Sequence, residues 1–191
     1  MRVSAILLAA GLSRRMGKDK LLIVYQGKTL LRLAIELLYA LPVSEKLIVT
    51  TEAKLKQVEI PSGIQVAINE NPNEGQSGSV RLGVKMASGT HFLFLTADQP
   101  RLTLSSLMPL ITLAEKNQDR IIFPVVNNNP TSPVLFPASY RKEFLGLVGD
   151  TGGRLIREAY PEKCLPFEPE LPELFFDVDD AEDLTMLRVE N

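Results

Sequence analysis

The sequence predicts an α/β chain wound in both directions around one mainly parallel sheet, with helices on both faces. Three observations carry that prediction. Short apolar runs alternate with helical periodicities through the first two thirds of the 191 residues, as in a parallel sheet joined by right-handed crossovers. The run 91–96 is apolar without a break after His91, which suits a strand buried on both faces. The opening loop after residue 8, the loop 69–78 and Asp98 each follow a predicted strand. They should therefore share the carboxyl edge of the sheet, where such folds bind ligands.

The bulk numbers agree. With 45% apolar and 23% charged residues and a mean hydropathy of +0.06, the chain is an ordinary globular protein. Its length fits a single domain, residues 1–191, with a sizeable core. A net charge of −2 speaks against a nucleic-acid-binding surface. A local basic loop on a slightly acidic protein suits a small anionic ligand better. Cys164 is the one cysteine, so no internal disulfide or thiolate metal cluster forms, which fits a reducing, cytoplasmic setting. Residues 3–12 superficially resemble a signal peptide, but Arg14, Arg15, Lys18 and Lys20 follow directly and oppose export. No run reaches the roughly 18 apolar residues that a membrane span needs.

In chain order, 3–8 is a strand, apolar and β-branched at its start. Residues 21–25 are a brief extended piece and 26–28 a turn. Thr29 caps a helix whose Leu30, Leu31, Ala34, Leu37, Leu38 and Leu41 share a face, and Pro42 stops it. Strands follow at 46–50 and 64–68, separated by a short helix over 52–58. After the 69–78 loop, Ser77 or Ser79 caps a helix that reaches Ser88. Beyond the 91–96 strand, Thr103 starts a helix to Asn117, 120–126 is a strand, 127–132 a loop and 133–136 a short strand. A helix covers 138–147, a glycine turn 149–153, and a short helix 154–159. Four prolines between 161 and 172 predict loop or edge strand. The end reads as a strand at 175–178, a cap at Asp179-Asp180 and a helix over 181–188.

The chemistry concentrates in 7–20. Arg14, Arg15, Lys18 and Lys20 lie within seven positions, punctuated by Gly11 and Gly17. A buried strand opening into such a loop presents N–H groups and positive charge to phosphates. The common templates fail: five residues separate Gly11 from Gly17, Asp19 follows Lys18, and no G-x-G-x-x-G occurs there.

The stretch resembles L-A-A-G-x-S-x-R-M-G-x-x-K, through Leu8, Ala9, Ala10, Gly11, Ser13, Arg15, Met16, Gly17 and Lys20. That is the signature of nucleotidyltransferases with a Rossmann-like, glycosyltransferase-A-type fold (nucleotide-diphospho-sugar transferase-like). Further motifs resemble the MobA-like branch that handles molybdenum cofactor. Asn71-Pro72 with Gly75, Ser79 and Gly83 is similar to its second nucleotide-binding segment, and 96–100, Thr-Ala-Asp-Gln-Pro, to its metal-binding D-Q-P. Residues 149–154, Gly-Asp-Thr-Gly-Gly-Arg, are similar to its G-D-x-G-x-R. Asp177-Val178-Asp179 with Glu182-Asp183-Leu184 is similar to its D-x-D-T-P-E-D-L ending.

The resemblance implies nucleotidyl transfer, in which an acceptor oxyanion joins the α-phosphorus of an NTP and pyrophosphate leaves. Both reactants are negative, so positioning and charge neutralisation dominate. Arg15 offers a planar fork to β/γ-phosphate oxygens and Lys20 a point charge to the α-phosphate, while Gly11 lets backbone N–H groups approach closely. Arg15, Lys20 and Asp98 are the expected catalytic set. Leu8, Ala9, Ala10, Gly11, Ser13, Asn71, Gly75, Ser79 and Gln99 are expected to bind nucleotide, and Asp150 and Arg154 to face the acceptor. Mg²⁺ is the implied cofactor, with Asp98 and Asp179 as its ligands. A phosphate acceptor is already ionised, so no general base is required, which suits a chain with one histidine. Guanylyl-transferring relatives carry a second glycine where this chain has Ala10. The resemblance thus implies CTP and a pterin-phosphate acceptor, with a molybdenum hydroxylase as recipient of the product and neither nucleic acid nor membrane as partner.

Two departures fall on the acceptor or metal side: Asn127 to Pro133 replace a glycine-containing approach, and Asp180-Ala181 stand where Thr-Pro is usual. Simpler roles compete residue by residue. Arg14 and Lys18 read as solvated charges, Asp98 also as a turn former, and Asp150 and Asp179 also as helix caps. Asp177 and Asp180 read chiefly as caps, His91 and Met16 as structural, and Cys164 as a small buried hydrophobe. A sugar-phosphate or other phosphorylated-alcohol acceptor, and a non-catalytic carrier of nucleotide or cofactor, are the alternative functions.

Overall fold

The structure is a computed structural model that describes residues 1–12, 19–179, 182, 183 and 185. Its spine is a sheet made of β1 (Val3–Leu8), β4 (Glu45–Thr50), β5 (Gln65–Ile68), β6 (His91–Thr96), β7 (Ile121–Val126), β9 (Val134–Pro137) and β10 (Cys164–Phe167). Two short hairpins add β2 (Val24–Tyr25) with β3 (Lys28–Thr29), and β8 (Asn129–Pro130) against β7. The helices are α1 (Leu30–Ala40), α2 (Glu52–Leu55), α3 (Gln76–Met86), α4 (Leu104–Lys116), α5 (Arg141–Leu145) and α6 (Gly153–Ala159).

The strand order is β10-β7-β9-β6-β1-β4-β5. All neighbours on that path run parallel except β9, which is antiparallel to both β6 and β7. From β1 the chain winds outward to β4 and β5, then returns to the other side of β1 as β6. That reversal is a topological switch point, and it opens a crevice above the carboxyl ends of β1 and β6.

Strand alternation sends side chains to two layers. Ala5 and Leu7 pack with Leu31, Ile35 and Leu38 of α1 and with Leu107, Leu110 and Ala114 of α4. On the opposite face Ile6, Leu47 and Val49 pack with Val80 and Val84 of α3, Phe144 of α5 and Ile156 of α6. A cluster of rings locks that second layer: Phe144 lies 4.9 Å from Phe94 and 5.0 Å from Phe136, centroid to centroid. Gly83 lets α3 lie close on the sheet, since a Cβ there would meet Ile6 Cγ2 at 2.5 Å.

Local signals behave as expected at several ends. The Thr29 hydroxyl accepts from Arg32 N–H at 3.2 Å, and Thr103 forms a capping box with Ser106. His91 is structural, its Nε2 2.9 Å from the Gln118 carbonyl. Among the described residues no helix is long and apolar enough to cross a membrane.

Other expectations are corrected. Neither Ser77 nor Ser79 caps α3, which begins at Gln76 after Gly75; both serines are buried inside the helix. The extended 21–25 piece is a 3-10 turn, Lys20–Leu22, followed by one arm of a hairpin whose tip, Gln26-Gly27, has positive φ. The 127–132 loop is a tighter hairpin in which Asn127 and Asn128 both adopt φ near +60°, a conformation asparagine tolerates. The 138–147 helix splits into a 3-10 turn at Ala138–Tyr140 and α5. The proline-rich tract does supply an edge strand, β10, paired on one side only. The strand expected at 175–178 is instead the end of a 3-10 turn, Pro172–Phe175, followed by chain that joins no strand. Its apolar residues are anchors: Phe175 and Val178 are buried, the Phe175 carbonyl accepts from Gln99 Nε2, and Val178 N–H donates to the Asp98 carbonyl. Most of the 181–188 helix lies outside the described residues.

Candidate active site

The crevice above β1 and β6 is a cavity of about 470 Å³. β1 delivers Leu8, Ala10 and Gly11 to its wall and β6 delivers Thr96, Ala97 and Asp98. The two strands are in direct register, Leu8 opposite Thr96, so the loop and the carboxylate emerge side by side. The remaining wall comes from Lys20 and Leu21, from 72–76 with Ser79, and from Gly149 and Asp150. Four separated motifs of the sequence thus converge on one space.

Lys20, on its wall, gathers the carboxylates. Its ammonium lies 2.8 Å from Asp98 Oδ2, 2.9 Å from the Val178 carbonyl and 3.2 Å from Asp179 Oδ1. Burial disfavours the charged amine, but the carboxylates of Asp98 and Asp179 outweigh it and hold its pKa above the usual value. Asp98 is pinned through its backbone, whose carbonyl accepts from Val178 N–H at 2.9 Å. Its second oxygen, Oδ1, is buried with no hydrogen-bond partner among the described residues. The Thr96 hydroxyl is orphaned in the same way.

Asp177 joins this group. Burial raises its carboxyl pKa, and the charges of Asp98 and Asp179 add to the effect, to about 7; Lys20 opposes them. The Thr131 hydroxyl reaches it at 3.5 Å. The carboxylates of Asp98 and Asp179 around one ammonium leave unbalanced negative charge, to which Asp177 adds when it ionises, and such a setting attracts a hard cation. The described residues contain no ready-made cluster of three or more ligands, so a divalent ion there would draw most of its shell from water and phosphate oxygens, as Mg²⁺ prefers.

A second hollow of about 260 Å³ shares Leu8, Gln76 and Thr96 with the first. It extends over the second face of the sheet toward Thr131, Ser132, Gly153, Arg154 and Arg157, and Asp177 lines it. Two neighbouring compartments that share the wall of Leu8, Gln76 and Thr96, one lined by Asp98 and the other by Asp177, offer room for two substrates.

The sequence-predicted residues distribute unevenly over this geometry. Leu8, Ala10, Gly11, Lys20, Gly75, Ser79, Asp98 and Asp150 line the larger cavity. Ala9 does not; it is fully buried and extends the strand, its N–H donating to the Val49 carbonyl at 2.8 Å. Asn71 stands outside, on a different surface hollow. Gln99 also lies off the cavity, where its Nε2 donates to the carbonyls of Ser132 and Phe175 at 3.0 and 3.1 Å. Asp150 is a cap, but of α3 rather than α6: it accepts from Gln76 N–H at 3.2 Å across the cavity rim. Arg154 reaches the smaller hollow, exposed and paired with Glu158 at 2.7 Å. Asp179 is 67% exposed. Ser13 and Arg15, with Arg14, Met16, Gly17 and Lys18, lie outside the described residues.

Gly75 is where the two glycine segments meet. Its φ is +88°, and a Cβ would stand 2.6 Å from the Gly149 carbonyl carbon and oxygen. Ser77 N–H then donates to that carbonyl at 3.2 Å. Sequence reasoning assigned Asp177 chiefly to capping and gave Thr96 no role of its own. Their burial beside Asp98 comes from contacts that no local pattern encodes.

Residues 5–164 match the model of the MobA-like NTP transferase domain. The chain belongs to the MobA-like NTP transferase family. Among curated relatives, the purine catabolism protein PucB of Bacillus subtilis (strain 168) is 29% identical over 163 residues, 78% of this chain and 77% of PucB. A protein of Pyrococcus horikoshii named a probable molybdenum cofactor guanylyltransferase is 27% identical over 201 residues, 98% of this chain and 100% of its own. Among solved structures, Rv0371c from Mycobacterium tuberculosis H37Rv superposes with a TM-score of 0.81 at 18% identity, covering 98% of this chain and 97% of its own. This MobA-like chain is a nucleotidyltransferase, and its cavity lies where its own strand order reverses.

Proposed function

We propose that the protein transfers CMP from CTP to the phosphate of a molybdopterin-type cofactor, releasing pyrophosphate in a Mg²⁺-dependent reaction. The observation that carries the reading is Asp98: a carboxylate on the wall of the larger cavity at the switch point, one oxygen paired to Lys20, the other buried without a partner among the described residues. Asp98 and Asp179 would hold the cation, which neutralises triphosphate charge when bound. CTP occupies the larger cavity and the acceptor the smaller. The acceptor phosphate oxygen attacks the α-phosphorus, a P–O bond forms, and the bond to the β-phosphate bridging oxygen breaks as pyrophosphate leaves. Lys20 is held at the carboxylates until the nucleotide arrives, then supplies its charge to the α-phosphate. Arg15 takes the β/γ-phosphates. Arg154 edges the acceptor's approach from the smaller hollow, whereas Asp150, on the wall of the larger cavity, edges the nucleotide's through the rim it builds with α3.

Cytosine preference rests on Ala10, which lines the cavity where the resemblance gives guanylyl-transferring relatives a glycine. The name of the Pyrococcus relative favours the second reading, GTP as donor. Pyrophosphate release measured with CTP and GTP against a panel of pterin phosphates and sugar phosphates separates these. CTP turnover with a pterin phosphate, and a shift toward GTP in Ala10→Gly, is the expected result. Better use of GTP by the unaltered chain overturns the donor assignment, and better use of a sugar phosphate overturns the acceptor.

A further inference from the structure

The buried residue of α2 is a lysine. Lys54 is only 3% exposed, and its ammonium donates to the Gly11 carbonyl and stands 3.1 Å from Asp19 Oδ2. The other Asp19 oxygen accepts from Leu21 N–H at 3.1 Å, starting the turn that carries Lys20. By contrast Lys56, two residues on, is 70% exposed. Burying an ammonium costs free energy unless it is fully paired, and an apolar residue would suffice if α2 merely had to pack.

The two partners of Lys54 have a particular relation. Gly11 and Asp19 are the shoulders of the cationic loop, one on each side of 12–18. Gly11 and Leu12 line the large cavity, whereas Lys54 does not. In a planar trans peptide the carbonyl and the next N–H point in opposite directions. A Gly11 carbonyl turned onto Lys54 therefore turns the Leu12 N–H away from Lys54, and Leu12 itself lines the cavity. That N–H has no hydrogen-bond partner among the described residues.

We propose that Lys54 is a positioning residue for the triphosphate. It draws the two ends of the loop together and fixes the Gly11–Leu12 peptide with its N–H toward the phosphates, without touching them. The proposal rests on the nucleotide reading given above. It also explains a lysine at a position that faces away from the cavity.

The test compares the full-length protein with Lys54→Met and Asp19→Asn by calorimetry, in Mg²⁺, using CTP and CMP and in parallel GTP and GMP. Lys54→Met should weaken the triphosphate that the unaltered protein binds by about tenfold or more and leave the matching monophosphate within about twofold. Asp19→Asn should show the same split, smaller in size. Unchanged triphosphate affinity, or parallel losses of triphosphate and monophosphate, would overturn the proposal, the second because it marks a general structural role. If Lys54→Met does not fold, the split or its absence in Asp19→Asn decides. Failure of the unaltered protein to bind any of the four nucleotides sinks the nucleotide reading itself, an outcome distinct from equal binding by variant and parent.

Discussion

Asp98 concentrates the residue-scale consequences. Asn in its place keeps the shape but removes the charge that balances Lys20 and invites a cation. Asp98→Asn should lower turnover at least about 100-fold, with a much smaller loss of NTP affinity. Steady-state rates beside calorimetric affinities check this, and unchanged turnover would remove Asp98 from the metal site. Asp177 gives a pH-dependent test. Its carboxyl titrates near 3.8 when unfolded and near 7 when folded. Between those values the native state keeps a proton that the unfolded state has released, so stability falls as pH rises from about 4 through about 7. The span corresponds to about 4 kcal/mol. In EDTA, Asp177→Asn should raise Tm at about pH 8 and change it little at about pH 4.5; equal shifts at both would show that the charge is not responsible.

At the scale of elements, the site depends on junctions between segments far apart in sequence. Gly75→Ala puts a side chain at φ +88° against the Gly149 carbonyl. It should cost about 1–3 kcal/mol and, by pushing the start of α3 off the 149–150 turn, weaken nucleotide binding as well. Denaturant midpoints and CTP affinity measured together should fall in step. Gln99 ties the 3-10 turn before Asp177 to the hairpin end at Ser132. Gln99→Ala leaves two carbonyls short of a donor and should destabilise by about 1–3 kcal/mol, lowering turnover more than CTP binding because Asp177 and Asp179 follow that turn. These junctions show where local patterns stop. Serines near the start of α3 promised a cap, yet the distant Asp150 fills that role. The apolar 175–178 run promised a strand, yet it joins no strand, and Phe175 and Val178 serve as buried anchors.

At the scale of the molecule, two packed layers hold the switch point open. Phe136 joins the ring cluster of the second layer beneath the smaller hollow, which it lines. Phe136→Ala should cost about 3–5 kcal/mol, read from urea midpoints. A ligand that binds only the folded chain raises Tm by mass action. CTP with Mg²⁺ should therefore shift Tm upward in the parent, less without Mg²⁺, and hardly at all when CTP is replaced by cytidine. Most of the architecture was legible beforehand, because hydrophobic period and turn chemistry report burial directly: β1, β4, β6, β7, α1 and α4 fall where periodicity puts them. The reversed strand β9 was not legible, since a short apolar run carries no sign of its direction.

The sequence by itself determined the family and the winding of the sheet. It also determined that Asp98 leaves a buried strand, because residue types at fixed spacing and the alternation of buried faces are local facts. Only the tertiary structure decided which carboxylates share Lys20, that Gln99 and Asn71 stand off the cavity, that Asp150 caps α3, and that Lys54 holds the loop's shoulders. Those relations join residues dozens to more than a hundred positions apart. They depend on packing rather than periodicity, and packing exists only once the layers have closed.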